Sequence, residues 1–313
     1  MEQPSDVVWA MDVSPADWIG PRLGEFGTSV TSVIPGGFET YARVLHPADS
    51  FGGGLVRWAD VATWSGLPLR SNGQFHSIAL PPEAPQHEAP WHGSPRQGSL
   101  VEPDAERLVE LLRQWTTTPD QCWFCIWDGY GWQTRTDRSE PRVHLPNRDY
   151  LLSVGPIEAV ASTTLFEERG QTPNLWWPED KAWCVASEID FPWTYVGGSA
   201  DMVAQLTEDK RIEALEIDPE VSTGRTEEWV KHWVDQAVQE LWTSGQSMVV
   251  TPMGTVEAFL TQPGRFRGGE LRMVTTRSHG SGSSWTSVGK GPSEHFRTHV
   301  ASYLTHSVVG LVE

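Results

Sequence analysis

Seventeen tryptophans are spread along this chain, from Trp9 to Trp285, and they limit its fold more than any other feature. A buried indole removes roughly 150–250 Å² from water, so a chain with this many must build an extensive core or a large interface. Its 313 residues are enough for two modest domains or one large one. No repeat of fixed period accompanies the tryptophans, so their abundance does not indicate a propeller or a solenoid.

The chain is acidic, with a formal net charge of −18, and the charge is unevenly distributed. Residues 1–150 carry 19 acidic and 11 basic side chains, residues 151–222 carry 14 and 4, and residues 223–313 carry 8 of each. This balance, without any Lys/Arg-rich stretch, disfavours general nucleic-acid binding. The acidic excess in residues 151–222 predicts that an electrostatic binding surface lies there and that its partner is basic. An acidic surface that serves only solubility is the alternative.

The compartment is predicted from the cysteines and from the apolar segments. Three cysteines are too few for a disulfide framework, which agrees with a reducing environment. The first residues lack the basic start and apolar core of a secretory signal, and no segment reaches about 18 uninterrupted apolar residues. We therefore expect a cytoplasmic protein that does not span a membrane.

Strand and helix patterns alternate through the first half of the chain. They predict strands near residues 36–46, 122–127 and 150–154, and helices over residues 56–65 and from Pro103 onward. Six prolines between residues 81 and 103 predict an irregular loop before the second helix.

The clearest β pattern lies in residues 175–191. Leu175–Trp177 and Ala182–Phe191 flank a turn that begins with proline, which predicts a β-hairpin. Strand alternation then places Glu188 and Asp190 on the same face of the second strand, about 7 Å apart.

The composition changes near residue 222, where Ser222–Arg225 predicts a domain boundary. A helix from Thr226, β-rich segments near residues 247–261 and 269–278, and a last helix from Ser293 follow. The predicted fold is therefore α+β, with a mainly antiparallel sheet and packed helices in residues 1–222 and a smaller C-terminal α+β domain in residues 223–313.

Two motifs are typical of thiol or metal chemistry, and both have structural alternatives. Cys122-x-x-Cys125 has the spacing of a redox pair, but it lies in an apolar strand that predicts buried, inert thiols, and a zinc site would need a second such pair. His295 and His299 are one helical turn apart, as in metal-binding helices, with His306 two turns further on. The catalytic glutamate of a metalloprotease helix is absent, so we expect solvent-facing histidines and no metal or other cofactor.

Glu188 and Asp190 are the strongest candidates for a functional site. Two carboxylates on one strand face can act as an acid/base pair or hold a cation, although such a face is more often hydrated sheet surface. Trp193 and Tyr195 follow closely, and carboxylates beside aromatic rings suit a basic or guanidinium-bearing partner. We therefore predict that these four residues bind a partner. The phosphate-loop, nucleophile-elbow and dinucleotide patterns are not matched, so no catalytic residue is assigned.

Two stretches carry a resemblance to known proteins: Pro35–Pro47, and Leu175–Cys184 with Tyr195–Ser199. They resemble a group of uncharacterised, Trp-rich actinobacterial proteins over about residues 30–220. That resemblance implies no activity. The acidic composition is also similar in general style to that of immunity proteins.

The acidic middle region and the unmatched catalytic motifs together favour a non-enzymatic interaction protein. We expect an immunity-type or accessory factor that binds a basic protein through residues 151–222. The alternative is a hydrolase or a metal-dependent enzyme whose site is assembled from residues distant in sequence. The neutral C-terminal domain is a candidate for self-association or for an adaptor role.

Overall fold

The structure, a computed structural model, describes residues 7–25, 28–79, 88–130, 141–160, 171–221, 237–241, 243–251, 254–260, 270–277 and 280–287. The chain divides into two compact units, each built from two stretches of sequence. Unit 1 comprises Met1–Pro47 and Pro95–Gly224, and unit 2 comprises Ala48–Ser94 and Arg225–Glu313. The predicted division into residues 1–222 and 223–313 stays a prediction.

Most of the secondary structure in the described residues is β-strand. The strands are β1 (Val8–Trp9), β2 (Thr40–Leu45), β3 (Ala48–Ser50), β4 (Leu55–Val56), β5 (Trp91–His92), β6 (Cys122–Trp127), β7 (Val143–Leu145), β8 (Arg148–Gly155), β9 (Leu175–Pro178), β10 (Cys184–Ala186), β11 (Trp193–Gly198), β12 (Ala214–Ile217), β13 (Gln246–Thr251), β14 (Gly254–Leu260), β15 (Glu270–Arg277) and β16 (Gly280–Ser287). The α-helices with both ends described are α1 (Trp58–Ser65), α2 (Phe75–Ala79), α3 (Glu102–Leu112) and α4 (Ala200–Glu208). Antiparallel sheets with packed helices confirm the predicted α+β fold class.

Unit 1 is organised around a nine-stranded antiparallel sheet. Its strands lie in the order β1-β8-β6-β9-β10-β11-β2-β12, and β7 also pairs with β8. The aromatic and β-branched residues of β6 and β11 suit this pleated, buried environment. Short connections join β9 to β10 and β10 to β11, whereas β2 and β12 come from distant parts of the chain.

Helices α3 and α4 cover one face of this sheet. Their apolar stripes form a single core cluster with alternate residues of the strands, among them Val44, Trp176 and Val196. Ser199 caps α4, since its hydroxyl oxygen accepts a hydrogen bond from the backbone N–H of Met202 at 3.3 Å. The helix predicted from Pro103 is present as α3.

The opposite face of the sheet carries the alternate strand residues, whose side chains point away from α3 and α4. Tyr41, Trp177 and Trp193 are buried there. The N-terminal segment packs on this face, because the Trp18 ring meets the Trp177 ring edge-on at 5.9 Å and the Tyr41 hydroxyl donates to the carbonyl oxygen of Pro35. Both faces of the sheet are therefore covered, which accounts for much of the tryptophan content.

The predicted hairpin is present but shorter than expected. β9 and β10 pair antiparallel around the Pro-led turn, in which Lys181 takes a positive φ of 55°. β10 ends at Ala186, and Ser187–Pro192 form an irregular connection to β11. Glu188 and Asp190 thus lie in that connection, and their predicted placement on a strand face is wrong.

The first stretch of unit 2 contains a small sheet and two helices. The sheet has the order β4-β3-β5, and α1 and α2 follow β4. Trp91 meets Trp64 and Phe75 edge-on, and Phe75 also meets Trp58. A local aromatic cluster therefore supports the short α2, which has only five residues.

The second stretch of unit 2 forms a four-stranded antiparallel sheet, β13-β14-β15-β16. The β-rich segment predicted over residues 247–261 is two strands, and the glycine- and serine-rich stretch after residue 279 is a fourth strand. The predicted helix start at Thr226 and the last helix from Ser293 lie outside the described residues. None of the helices in the described ranges combines the length and hydropathy that a bilayer crossing requires.

Candidate functional site

A charged cluster in unit 1 is centred on Arg148, the first residue of β8. Pro146 and Asn147 form the two-residue turn between β7 and β8, and Leu145 pairs with Arg148 across it. Pro146 restricts the backbone φ angle at the first turn position. Asn147 adopts a φ of 62°, which asparagine tolerates better than most residues. This turn directs Arg148 back toward the connection between β10 and β11.

Arg148 brings together the two carboxylates that the sequence singled out. Its Nη2 lies 2.8 Å from Oε1 of Glu188 and 3.9 Å from Oδ2 of Asp190. The Glu188 side chain is only 11% exposed, whereas that of Asp190 is 74% exposed. Burial disfavours the charged guanidinium, but the hydrogen bond and the charge of Glu188 outweigh it and raise the pKa of Arg148. Glu188 is therefore the structural partner and Asp190 the accessible one.

Trp193 and Tyr195 are inside the sheet. Both are only 2% exposed, so a bound partner can meet the carboxylates of this cluster but not these two rings. The guanidinium of Arg43 lies 3.7 Å from the ring centroid of Trp193, a cation–π contact within unit 1. Burial lowers the pKa of Arg43 to about 10.

Two depressions adjoin Arg148. One is an open cleft of about 470 Å³, and its lining residues are Trp127, Asp128, Gly129, Leu145, Asn147, Arg148 and Asp149. The other is a narrow pocket of about 20 Å³, and it lies between the N-terminal segment, the β7–β8 turn and the ends of β9 and β10. The narrow pocket has room for about one water molecule, whereas the cleft can admit a side chain.

Tyrosines and an asparagine fill the space behind the cluster. Asn174 accepts a hydrogen bond from the backbone N–H of Trp127 at 2.9 Å and donates from Nδ2 to the hydroxyl of Tyr130 at 3.0 Å. Burial raises the pKa of Tyr130. Burial, and to a smaller extent the charge of Glu188, raises the pKa of Tyr150. Both phenols therefore stay protonated at neutral pH.

A buried hydrogen-bonded chain runs through the helix-covered face of the sheet. Nδ1 of His46 lies 2.7 Å from the carbonyl oxygen of Arg96, and its Nε2 lies 2.9 Å from Oγ1 of Thr194. Oγ1 of Thr194 is in turn 2.6 Å from Oγ of Ser187. Because a carbonyl oxygen only accepts, Nδ1 carries the proton, and neutral His46 accepts from Thr194, which accepts from Ser187. These hydrogen bonds therefore run in one direction, from Ser187 through Thr194 to His46.

This arrangement has the residue types of a serine–histidine relay, but its histidine is a poor base. Burial, with further contributions from the charges of Arg96 and Arg43, lowers the pKa of His46 to about 4. A general base works best when its pKa is near the ambient pH. The hydrogen-bonded series of Ser187, Thr194 and His46 is therefore better explained as a structural link between β2, β10 and β11.

The remaining sequence candidates divide into buried and undescribed residues. Cys122 and Cys125 are free, buried thiols on β6, and burial raises the pKa of each. Within the described residues, no group of three or more His, Cys, Asp or Glu side chains is arranged to hold a metal ion. His295, His299 and His306 lie outside the described residues.

Sequence reasoning missed Arg148 and the residues behind it. Tertiary contact brings together Arg148 and Glu188, which are 40 positions apart. The one local signal was the Pro146–Asn147 turn immediately before Arg148.

No family model matches this chain, and neither curated proteins nor solved structures include a significantly similar one. Its function must therefore be inferred from its own geometry and charge.

Proposed function

We propose that this chain is a non-enzymatic interaction factor, of the immunity or accessory type, that binds a basic protein partner in the cytoplasm. The supporting observation is the charge exposed by the described part of residues 151–221. Three cations are exposed there: Lys181, Lys210 and Arg211. Nine carboxylates are exposed there: Glu158, Glu179, Asp180, Asp190, Asp201, Glu208, Glu216, Asp218 and Glu220. Such an excess attracts a basic surface and speeds its association.

The binding surface proposed here differs from the four-residue patch that the sequence suggests. Glu188 is already neutralised by Arg148, and Trp193 and Tyr195 are buried. Asp190 is the member of that set that can meet a partner directly. The proposed binding region therefore consists of Asp190 and the other exposed carboxylates of residues 151–221.

The enzymatic alternative has weaker support from the geometry. In the hydrogen-bonded series Ser187–Thr194–His46, Thr194 separates the serine from the histidine. The pKa of His46 is also about 4, which makes it a poor general base at neutral pH. The narrow pocket near this chain holds about one water molecule, which is too little space for a substrate group.

The proposal can be tested by charge reversal in a reconstituted complex. A partner would be isolated from extracts of the source cells, purified, and titrated against the full chain at several salt concentrations. The variant Asp190→Lys/Glu208→Lys/Glu220→Lys should weaken the complex at least tenfold and flatten its salt dependence. The control variant Asp17→Lys/Glu25→Lys/Glu106→Lys changes the net charge equally but alters exposed residues outside 151–221.

Equal weakening by both triple variants would show a general charge effect and contradict a localised surface. The absence of any stoichiometric partner that resists dilution would contradict the function itself.

A further inference from the structure

The open cleft beside the β7–β8 turn is built from two neighbouring strand ends. Trp127, Asp128 and Gly129 line it from the end of β6, and Leu145 to Asp149 line it from the hairpin. Gly129 sets the position of the Trp127 ring, because a Cβ at residue 129 would lie 2.1 Å from a ring carbon. The guanidinium of Arg148 is 5.5 Å from the centroid of this ring. One wall of the cleft is thus an indole held in place by its neighbours.

Two aspartates are adjacent across neighbouring strands at this cleft. The register of β6 and β8 ends with Trp127 opposite Tyr150, and beyond it the backbone N–H of Asp128 donates to the carbonyl oxygen of Asp149 at 2.9 Å. Asp128 and Asp149 are therefore directly opposite, a position in which Cβ atoms are about 4.5–5.5 Å apart and like charges are unfavourable. A cation between them relieves that repulsion.

The side chains that already contact the two aspartates leave acceptor capacity at both. Nε of Arg142 is 2.8 Å from Oδ2 of Asp128, and Nδ1 of His144 is 2.7 Å from Oδ1 of Asp149. Within the part of the chain that the structure describes, the second oxygen of each carboxylate has no hydrogen bond. The side chains of Asp128 and Asp149 remain 34% and 55% exposed.

We propose that this cleft receives an arginine side chain of a basic partner, with Asp128 and Asp149 as its carboxylate contacts and the Trp127 edge as its apolar wall. The inference rests on the proposed function for the basic nature of the partner and adds the point at which that partner inserts. Among the described residues that line the cleft, Asp128 and Asp149 are acidic and Arg148 is the one cation. Because Glu188 already pairs with Arg148, the remaining charge favours a cationic occupant.

Arginine fits this geometry better than lysine. A planar guanidinium presents several N–H donors at fixed angles and can bond to two carboxylates at once, and it also packs well against aromatic rings. A lysine ammonium is a more strongly hydrated point charge with no planar surface. The contact of Arg148 with Trp127 and Glu188 shows the same combination within the chain itself.

The test uses a defined peptide with the full chain. Acetyl-Gly-Arg-Arg-Gly-amide would be titrated while the indole N–H resonance of Trp127 is followed by NMR, after assignment with Trp127→Phe. Lysine and citrulline versions of the peptide are the matched probes, since citrulline keeps the shape of arginine without its charge. We expect a saturable shift with the arginine peptide, a weaker one with lysine and none with citrulline.

Variants of the chain test the carboxylates. Asp149→Asn should weaken the arginine peptide about two- to fivefold, the range for one exposed ion pair. Asn147→Asp should strengthen it by a similar factor, because it adds a carboxylate to the cleft and aspartate also tolerates a positive φ. The second variant keeps the test informative if the first one perturbs folding.

Several results would overturn the inference: equal binding of the citrulline peptide, a Trp127 resonance that does not move, or an Asn147→Asp variant without effect. Failure of the proposed function is separable from these. If no basic partner exists but the arginine peptide still saturates the cleft, the function fails and the cleft site stands. If a partner binds through residues 151–221 and its affinity is unchanged by Asp149→Asn and by Asn147→Asp, the function stands and the cleft site fails.

Discussion

Nη2 of Arg148 lies 2.8 Å from Oε1 of Glu188, although the two residues are 40 positions apart in sequence. Their side chains are 19% and 11% exposed, so the ion pair is largely removed from water. The pair connects the first residue of β8 to the loop between β10 and β11.

Arg148→Met should destabilise unit 1 by about 2–4 kcal/mol, because it leaves the Glu188 carboxylate buried without its cation. The double variant Arg148→Met/Glu188→Gln should recover part of that loss, since no unpaired charge remains. Urea denaturation of the three proteins measures the difference. A double variant less stable than the single one would contradict the assignment of Glu188 as a buried charge.

Acid should destabilise the fold through His46. Its folded pKa of about 4 is below the ordinary value of about 6.5, so the unfolded chain binds the proton more readily. The contribution to stability is therefore complete above pH 6.5 and is lost progressively as the pH falls toward 4. Between pH 7.5 and pH 5 the loss attributable to this residue is about 2 kcal/mol.

His46→Gln should reduce that pH dependence, because glutamine can donate to the Arg96 carbonyl and accept from Thr194 without titrating. Denaturation midpoints at the two pH values provide the measurement. His144→Gln is the control, since His144 is exposed to solvent. An unchanged pH slope in His46→Gln would show that His46 is not the titrating group.

Gly129→Ala should distort the cleft by displacing the Trp127 ring, whose atoms lie 2.1–2.4 Å from the added Cβ position. The expected cost is about 1–3 kcal/mol, together with a shifted Trp127 indole resonance. At Gly20 the added methyl would meet only Leu145 at 3.8 Å, so Gly20→Ala should be close to neutral. Equal effects of the two substitutions on stability would mean that close packing at residue 129 is not the cause.

All three cysteines should be unreactive in the folded chain. Burial raises the pKa of Cys122 to about 12, and burial also raises the pKa of Cys125 and of Cys184, so little thiolate exists at neutral pH. A thiol reagent should label none of them without denaturant and all three in urea. Rapid labelling of Cys122 or Cys125 in the native protein would revive the redox interpretation of this motif.

Local patterns were sufficient to predict several elements. The apolar stripe after Pro103 predicts α3, the aromatic run at residues 122–127 predicts β6, and the Pro-led turn predicts the β9–β10 hairpin. Each of these signals depends on neighbouring residues and on helix or strand periodicity. The predicted length of β10 was wrong, because the alternation of residues 187–191 fits an irregular loop as well as a strand. The strand ends at Ala186, where its backbone pairing with β11 ends.

The amino-acid sequence by itself determined the α+β class, the acidic middle region and the need for a large aromatic core, since these follow from composition and short-range pattern. Only the tertiary structure decided that Trp193 and Tyr195 are core residues, that Arg148 binds Glu188, and that the backbone of Asp128 pairs with that of Asp149. Burial and charge pairing depend on which distant segments meet, and the order of strands in the sheet, which brings β8 beside β6 and the end of β10 near Arg148, sets those meetings.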